Sequence, residues 1–227
     1  MNESVFVVVP IYNEERVIRS ALQPLLEQGY SVVAVDDGSA DKTWQIIRSL
    51  PIYSLRHAVN LGQGAALQTG MTFALEHGAR FIVHFDADGQ HSVDDIKTLL
   101  EPLRKGEADV VLGSRFLRKS DRDVVPRARR LLLKGGVVVN GLLTGVWLTD
   151  AHNGCRAMTR DSAKKIRLNE NRFAHASEIL IQIRRNRLRF VEMPTTIIYT
   201  DHSIAKGQSM WNAIKIVFDM ILRRIFR

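Results

Sequence analysis

The sequence predicts an open, mostly parallel α/β sheet flanked by helices, followed by a less regular C-terminal half. Three observations predict it. Strand-length apolar runs alternate with stretches of helical periodicity through residue 115. Those runs are apolar throughout rather than at every second residue, as in a sheet covered on both faces. Acidic and glycine-containing corners then close the strands one after another.

Taken in order, Val5 to Val9 is a β-branched and aromatic run that Pro10 is expected to end. Glu14 to Gln28 reads as a helix, with Val17, Ile18, Ala21, Leu22 and Leu25 at three-and-four spacing and Gly29 as its stop. Ser31 to Val35 is a second strand, Asp41 to Leu50 a helix and Tyr53 to Arg56 a short third strand. A glycine-rich loop, Asn60 to Gly64, opens a helix from Ala65 to about His77. Phe81 to Phe85 is a strand, Val93 to Lys105 a helix and Val110 to Gly113 a strand. Beyond it, Phe116 to Val125 reads as a polar loop and Pro126 to Leu143 as one or two helices. Asn153 to Met158 reads as a strand, Ala176 to Arg187 as a helix, Val191 to Tyr199 as strands broken by Pro194, and Ser209 to Phe226 as a final helix.

A chain of 227 residues with 45% hydrophobic and 25% charged residues is long enough for a substantial core and is neither disordered nor fibrous in composition. Its formal charge of +8 and pI near 9.9 favour an anionic partner: nucleic acid, a membrane face or a phosphorylated substrate. The single cysteine, Cys155, forms no internal disulfide and suits a reducing cytoplasm. No secretory signal is recognised. The best candidate span, Leu131 to Leu148, is interrupted by Lys134 and Asn140 and weakened by Gly135, Gly136 and Gly141, short of the roughly 20 apolar residues a spanning helix needs. A soluble or peripheral protein is expected.

Ligands of open α/β sheets bind beyond the carboxyl ends of the strands. Here those ends carry Tyr12-Asn13-Glu14, Asp36-Asp37-Gly38-Ser39 and Asp86-Ala87-Asp88. Asp and Ser also serve as helix N-caps, the role assigned to Asp41 and Ser92. Three acidic corners on one edge repel each other unless a cation or a donor-rich ligand lies among them. Asp86 and Asp88 alternate after a strand, so both can face one ligand, and hard divalent cations favour carboxylates together with substrate phosphates. Such a cation would offset charge on a departing nucleotide. The Asn60 to Gly64 loop lacks the full spacing of a dinucleotide loop, and no Lys-Ser/Thr pair follows it. Its glycines serve either close approach to a nucleotide or tight packing.

Val9-Pro-Ile-Tyr-Asn-Glu14, Val35-Asp-Asp-Gly-Ser39, Asn60-x-Gly-x-Gly-x-Ala66, Asp86-Ala-Asp-Gly-Gln-His91 and Gly113-Ser-Arg115 resemble, in order, the motifs of family 2 glycosyltransferases of GT-A fold. Within that family the chain is most similar to the dolichyl- and polyprenyl-phosphate sugar synthases. The resemblance implies one GT-A, Rossmann-like domain over 1–227: a nucleotide-sugar-binding half at 1–115, an acceptor half at 116–208 and an amphipathic C-terminal helix at 209–227. It implies that Pro10, Tyr12, Glu14, Val35 and Asp37 line the base and ribose pocket. Asp86, Ala87 and Asp88 would meet ribose and diphosphate, with Asp88 and Gln90 holding Mg2+ or Mn2+. Arg115 would sit near the diphosphate or the acceptor phosphate, and Asp150 would be the catalytic-side carboxylate. Where that branch carries Arg-Gly-Glu-Ser-Lys, this chain has His202-Ser203-Ile204-Ala205-Lys206, which keeps the lysine and replaces the arginine by His202.

The expected reaction transfers a sugar from a UDP- or GDP-sugar to a polyprenyl phosphate, with inversion in one step because no second nucleophile is evident. Such an acceptor is already ionised and needs no strong base. A hydroxyl acceptor on a glycan or glycolipid would need one, with Asp150 as the candidate. A nucleotide-sugar-binding protein of low turnover is the reading outside that class. Arg127, Arg129, Arg130 and Lys134 precede an apolar stretch and would bind an acceptor phosphate at a membrane face, or form a solvated basic surface. Trp211 to Arg227 suits an interfacial helix at the cytoplasmic membrane face, or one packed on its own domain or on a second copy in a homo-oligomer. Nucleic acid is not an expected partner, because the acidic strand ends would go unexplained.

Overall fold

The structure, a computed structural model, describes residues 3–118, 127–150, 153–170 and 175–196. His202, Lys206 and the final helix expected over Ser209 to Phe226 lie outside the described residues, as does most of the loop expected from Phe116 to Val125.

Seven strands form one sheet in the order β3-β2-β1-β4-β6-β5-β7. They are β1 (Val5–Ile11), β2 (Ser31–Asp36), β3 (Tyr53–Arg56), β4 (Phe81–His84), β5 (Val110–Ser114), β6 (Arg156–Thr159) and β7 (Phe190–Pro194). All neighbours pair in parallel except β6, which runs antiparallel between β4 and β5. Every residue of β1, β4 and β5 is buried, as the continuous apolar runs require. β1 continues to Ile11 instead of ending at Pro10. Its pairing with β4 stops at Val8, so the missing Pro10 N–H falls where β1 has a ladder on one side only.

One face of the sheet is covered by α1 (Ile18–Glu27), α2 (Thr43–Arg48) and α4 (Asp95–Arg104). The other is covered by α3 (Gln63–Glu76), α6 (Arg160–Lys165) and α7 (His175–Arg185). Helix α5 (Arg127–Thr144) lies against α7, where the Ser177 hydroxyl donates to Asn140 Oδ1 at 3.0 Å. α1 buries Ile18, Ala21, Leu22 and Leu25, and α4 buries Ile96, Leu99, Leu100 and Leu103, each a three-and-four stripe on the sheet.

The helix starts differ from expectation. α1 begins at Ile18 rather than Glu14; residues 15–17 form a turn, and the Glu14 and Glu15 N–H groups donate to Thr43 Oγ1 and Asp41 Oδ2 in the neighbouring corner. α4 begins at Asp95, beyond Ser92, and its N-cap residue Asp94 makes no side-chain cap bond. β6 starts at Arg156, since Asn153 Oδ1 accepts from the Cys155 N–H and Asn153 Nδ2 donates to Thr195 Oγ1. Helices α2 and α6 have six residues each, and the sequence pattern gives no sign of α6.

α3 crosses the sheet on small residues. A Cβ at Gly70 would collide with Cγ1 of Val8, which is fully buried in β1. Gly70→Ala gains about 1 kcal/mol of helix propensity, but overpacking a rigid core costs about 1–3 kcal/mol. We expect Gly70→Ala to lower the melting temperature by roughly 2–5 °C. In a double-mutant cycle with Val8→Ala the two effects should be less than additive, and strict additivity would refute this contact.

Candidate functional site

The strand order reverses between β1 and β4, since the chain leaving β1 proceeds to β2 and β3 before returning to β1's other side. Crevices at such points are where α/β sheets bind ligands. A cavity of about 550 Å³ opens there, lined by Pro10, Ile11, Tyr12 and Glu14 after β1, Asp37 after β2, Asn60, Gly62, Gln63 and Ala66 at the start of α3, and Asp86, Ala87 and Asp88 after β4. The three acidic corners therefore share one cavity.

The first two corners are laced together. The Asn13 N–H donates to Ser39 Oγ (2.9 Å), the Ala40 N–H to Asn13 Oδ1 (2.9 Å) and the Lys42 N–H to Glu15 Oε2 (3.0 Å). Asn13 takes a left-handed backbone with φ 54°, a conformation asparagine tolerates. Within the second corner the two aspartates divide. Asp36 faces away, accepting from the Ser39 N–H at 3.0 Å and standing 3.0 Å from Arg56 Nε. Asp37 accepts from the Leu61 N–H (2.9 Å), the Gly62 N–H (2.7 Å) and His57 Nδ1 (2.8 Å). It ties the glycine-rich loop to β2. That loop serves both of its expected purposes: Gly62 lines the cavity, and Gly64 packs so closely on the Glu170 carbonyl that a Cβ would collide with it.

At the third corner, Gln63 Nε2 donates to Asp86 Oδ1 at 2.9 Å and His91 Nε2 stands 3.3 Å from Asp86 Oδ2. A Cβ on Gly154, the residue across from Asp86 on the approach to β6, would collide with that same carboxylate. Burial pushes the Asp86 carboxyl up, but the His91 bond and the charges of His91, Arg156 and His175 outweigh it and hold the group below the usual carboxylate range. Although 27% of the Asp86 side chain remains open, its carboxylate is held on several sides. Asp88 moves the other way. Burial raises its pKa and the Asp86 charge raises it further, while the Gln90 N–H, bonded to Asp88 Oδ1 at 3.0 Å, opposes them.

A cation beside Asp88 would offset that unfavourable charge. Among the described residues no three His, Cys, Asp or Glu side chains converge into a cage. Magnesium-like ions bound through one or two carboxylates and substrate phosphates need none, so Asp88 fits a cation that arrives with a nucleotide.

Not every expected residue reaches the cavity. Val35 does not line it: fully buried in β2, it lies two residues back from Asp37 on the same face, where α3 covers it at Gly70. Gln90 is half-buried and lies outside the lining. Arg115 and Asp150 are brought to each other, with Arg115 Nε donating to Asp150 Oδ2 at 2.6 Å and the Arg115 N–H to the same oxygen at 3.2 Å. Glu192 of β7 fixes that pair by accepting from the Thr149 and Asp150 N–H groups. The backbones of Arg127, Arg129 and Arg130 form the first turn of α5. Gln63, His91, His57 and Gly154 were missed as site residues. The Asn60 to Ala66 motif and Asp86 to His91 contain two of them, Gln63 and His91, but nothing local pairs Gly154 with Asp86.

Fold and cavity together define a glycosyltransferase of GT-A fold. The family model for glycosyl transferase family 2 matches residues 6–167, and the chain belongs to that family. It is 36% identical over 227 residues to an uncharacterized protein of Methanocaldococcus jannaschii, covering 99% of this chain and 93% of that one. It is 30% identical over 241 residues to the UDP-N-acetylglucosamine–dolichyl-phosphate N-acetylglucosaminyltransferase of Methanococcus voltae, covering 97% of this chain and 96% of that one. Among solved structures, glucosyl-3-phosphoglycerate synthase from Mycobacterium tuberculosis in complex with Mn2+, UDP and phosphoglyceric acid superposes with a TM-score of 0.61 at 18% identity, covering 98% of this chain and 78% of that one.

A carboxylate whose pKa the fold raises is one whose ionised form the fold disfavours, so at neutral pH its charge lowers stability. Asp88→Asn removes that charge and nearly keeps the shape. We expect the metal-free variant to melt higher than the parent, by on the order of 2 °C. A lower melting temperature would contradict this electrostatic account.

Proposed function

We propose that this enzyme moves a sugar from a UDP- or GDP-sugar to a polyprenyl-phosphate carrier, inverting the anomeric centre in a single displacement. The observation that carries the reading is the convergence of Glu14, Asp37, Asp86 and Asp88 on one strand-end cavity. Four carboxylates there suit a ligand rich in donors and a cation. The M. voltae relative, whose name gives a dolichyl-phosphate acceptor, supports the acceptor class.

In this reading residues 1–115 bind the donor and residues 116–208 the acceptor. Pro10, Tyr12 and Glu14 border the base and ribose, with Asp37 holding the loop that closes over them. Asp86 faces the ribose and diphosphate. Mg2+ or Mn2+ held by Asp88, with Gln90 beside it, would neutralise charge on the departing nucleoside diphosphate. A phosphate acceptor is largely ionised at neutral pH and attacks without a base. That agrees with the commitment of Asp150 Oδ2 to Arg115, which makes Asp150 a holder of Arg115 rather than a free base. Arg127, Arg129, Arg130, His202 and Lys206 complete the acceptor-phosphate contacts.

A lipid acceptor brings the enzyme to a membrane. No described helix is long and apolar enough to cross one. Helix α5 has eighteen residues, four of them basic and none acidic. Val138, Leu142 and Trp147 on and after it are 49%, 68% and 61% exposed, so this ridge suits the interface of an anionic bilayer.

Incubation with labelled UDP- and GDP-sugars, Mn2+ and undecaprenyl phosphate, followed by lipid extraction, tests the reaction. Label should enter the lipid fraction with at least one donor, and its absence across the panel would overturn the acceptor assignment. In sedimentation with phosphatidylglycerol vesicles, Trp147→Ser paired with Leu142→Ser should release most of the bound protein; undiminished binding would remove this ridge as the contact.

A further inference from the structure

β6 pairs Arg156 with His84 on one side and with Leu112 on the other. Cross-strand partners share a face, and Asp86 follows His84 by two residues, so all three lie on the α3 and α7 side of the sheet. The position two residues before Arg156 is Gly154, whose missing Cβ makes room for the Asp86 carboxylate. Arg156 therefore stands beside Asp86 at the mouth of the sheet.

Arg156 is only 5% exposed, and its guanidinium, whose nitrogens keep some access to solvent, makes no hydrogen bond or ion pair among the described residues. Buried arginines ordinarily have their five N–H donors paired, because an unpaired buried cation is strongly unfavourable. The carboxylates whose charges act on it, Asp86 and Asp150, are bonded elsewhere: Asp86 to Gln63 and His91, Asp150 to Arg115. His84 is 1% exposed, and neither of its ring nitrogens has a hydrogen-bond partner. Burial, with the charges of Arg156 and His175 adding to it, pushes the His84 imidazole down to about 3, so at neutral pH it presents one N–H and one lone pair. His175, also buried, is the first residue of α7, and a Cβ at Gly64 of α3 would lie 3.0 Å from its Cβ. The N-termini of two helices, of 14 and 11 residues, thus approach the same layer, each carrying a partial positive charge.

We propose that Arg156, with His84 beside it, binds a phosphate oxygen of a substrate at the point where donor and acceptor meet. This rests on the sugar-transfer reading above. The guanidinium fork matches two oxygens of one phosphate, and the neutral His84 ring adds a further donor in the same layer. Its place between Asp86, which lines the donor cavity, and Asp150, which belongs to the acceptor half, leaves two sources: the diphosphate of the nucleotide or the monophosphate of the lipid.

Calorimetric titration of the full chain distinguishes them, using UDP or GDP with Mn2+ in one arm and farnesyl phosphate in the other. Arg156→Met should weaken one arm at least about tenfold, and Arg156→Lys, which keeps the charge without the fork, should fall between. Loss in the nucleotide arm assigns the donor diphosphate, loss in the farnesyl phosphate arm the acceptor, and loss in both a shared position. The ligand-free Arg156→Met protein should melt at or above the parent temperature, since an unpaired buried charge has been removed. An arginine of merely structural value would instead lower the melting temperature and leave both affinities alone, and that result overturns the proposal. If Arg156→Met does not fold, Arg156→Lys alone decides by the same two arms, together with 15N imidazole spectra of the parent. A His84 resonance unmoved by either ligand, with unchanged affinities in Arg156→Lys, overturns it too. Parent protein that binds the nucleotide while Arg156 proves indifferent leaves the transferase reading intact; parent protein that binds neither ligand overturns both.

Discussion

The Asp86 carboxylate is the point on which the site depends. An anion enclosed by a sheet edge and two helices persists only where donors and positive charge surround it. Gln63 reaches it from α3, His91 from the segment before α4, and Gly154 makes room for it from the strand inserted antiparallel between β4 and β5. With Asp86 held ionised, its neighbour Asp88 is left with a charge that burial and Asp86 both disfavour. Two carboxylates two positions apart thus acquire opposite tendencies, and the second becomes the one that gains from a cation.

The strand-end corners and the Arg115–Asp150 pair are built differently around that point. At the corners, backbone N–H groups are tied to side chains of the next corner, so that Tyr12, Glu14 and Asp37 keep their places through short cross-links from Asn13, Ser39 and Thr43. Asp37 anchors the loop ahead of α3 with both its oxygens. Beyond β5 the ordering comes from charge: Arg115 closes on Asp150, and Glu192 holds the segment that carries Asp150. Arg156 lies between the two sides and is joined to neither.

Much of this was legible in the sequence. The strands β1, β2, β4 and β5 announced themselves as apolar runs, and the acidic corners stood out because each follows such a run. Seven of the eight residues expected to border the nucleotide do line the cavity. Val35 lies outside the lining because α3 covers it at Gly70, two residues back along the strand from Asp37, so membership in a motif does not by itself make a wall of the cavity. β6 was half legible. Asn153 to Met158 looked like a strand, but its antiparallel direction is set by pairing with β4 and β5, and Asn153 turns the chain before the strand begins. The partnership of Gly154 with Asp86, and the isolation of Arg156 beside it, join residues some seventy positions apart, and no local pattern encodes them. The N–H groups of Glu14 and Glu15 bond across to the second corner, and α1 starts at Ile18, later than the expected Glu14.

The central claim is that Asp88 makes nucleotide binding depend on a divalent cation. Calorimetry of UDP and GDP binding, with and without Mn2+, tests it most directly in the parent and in Asp88→Asn. The account predicts that Mn2+ tightens nucleotide binding at least about tenfold in the parent and scarcely at all in the variant. Equal affinity with and without the cation in the parent, or an undiminished cation effect in Asp88→Asn, would contradict it.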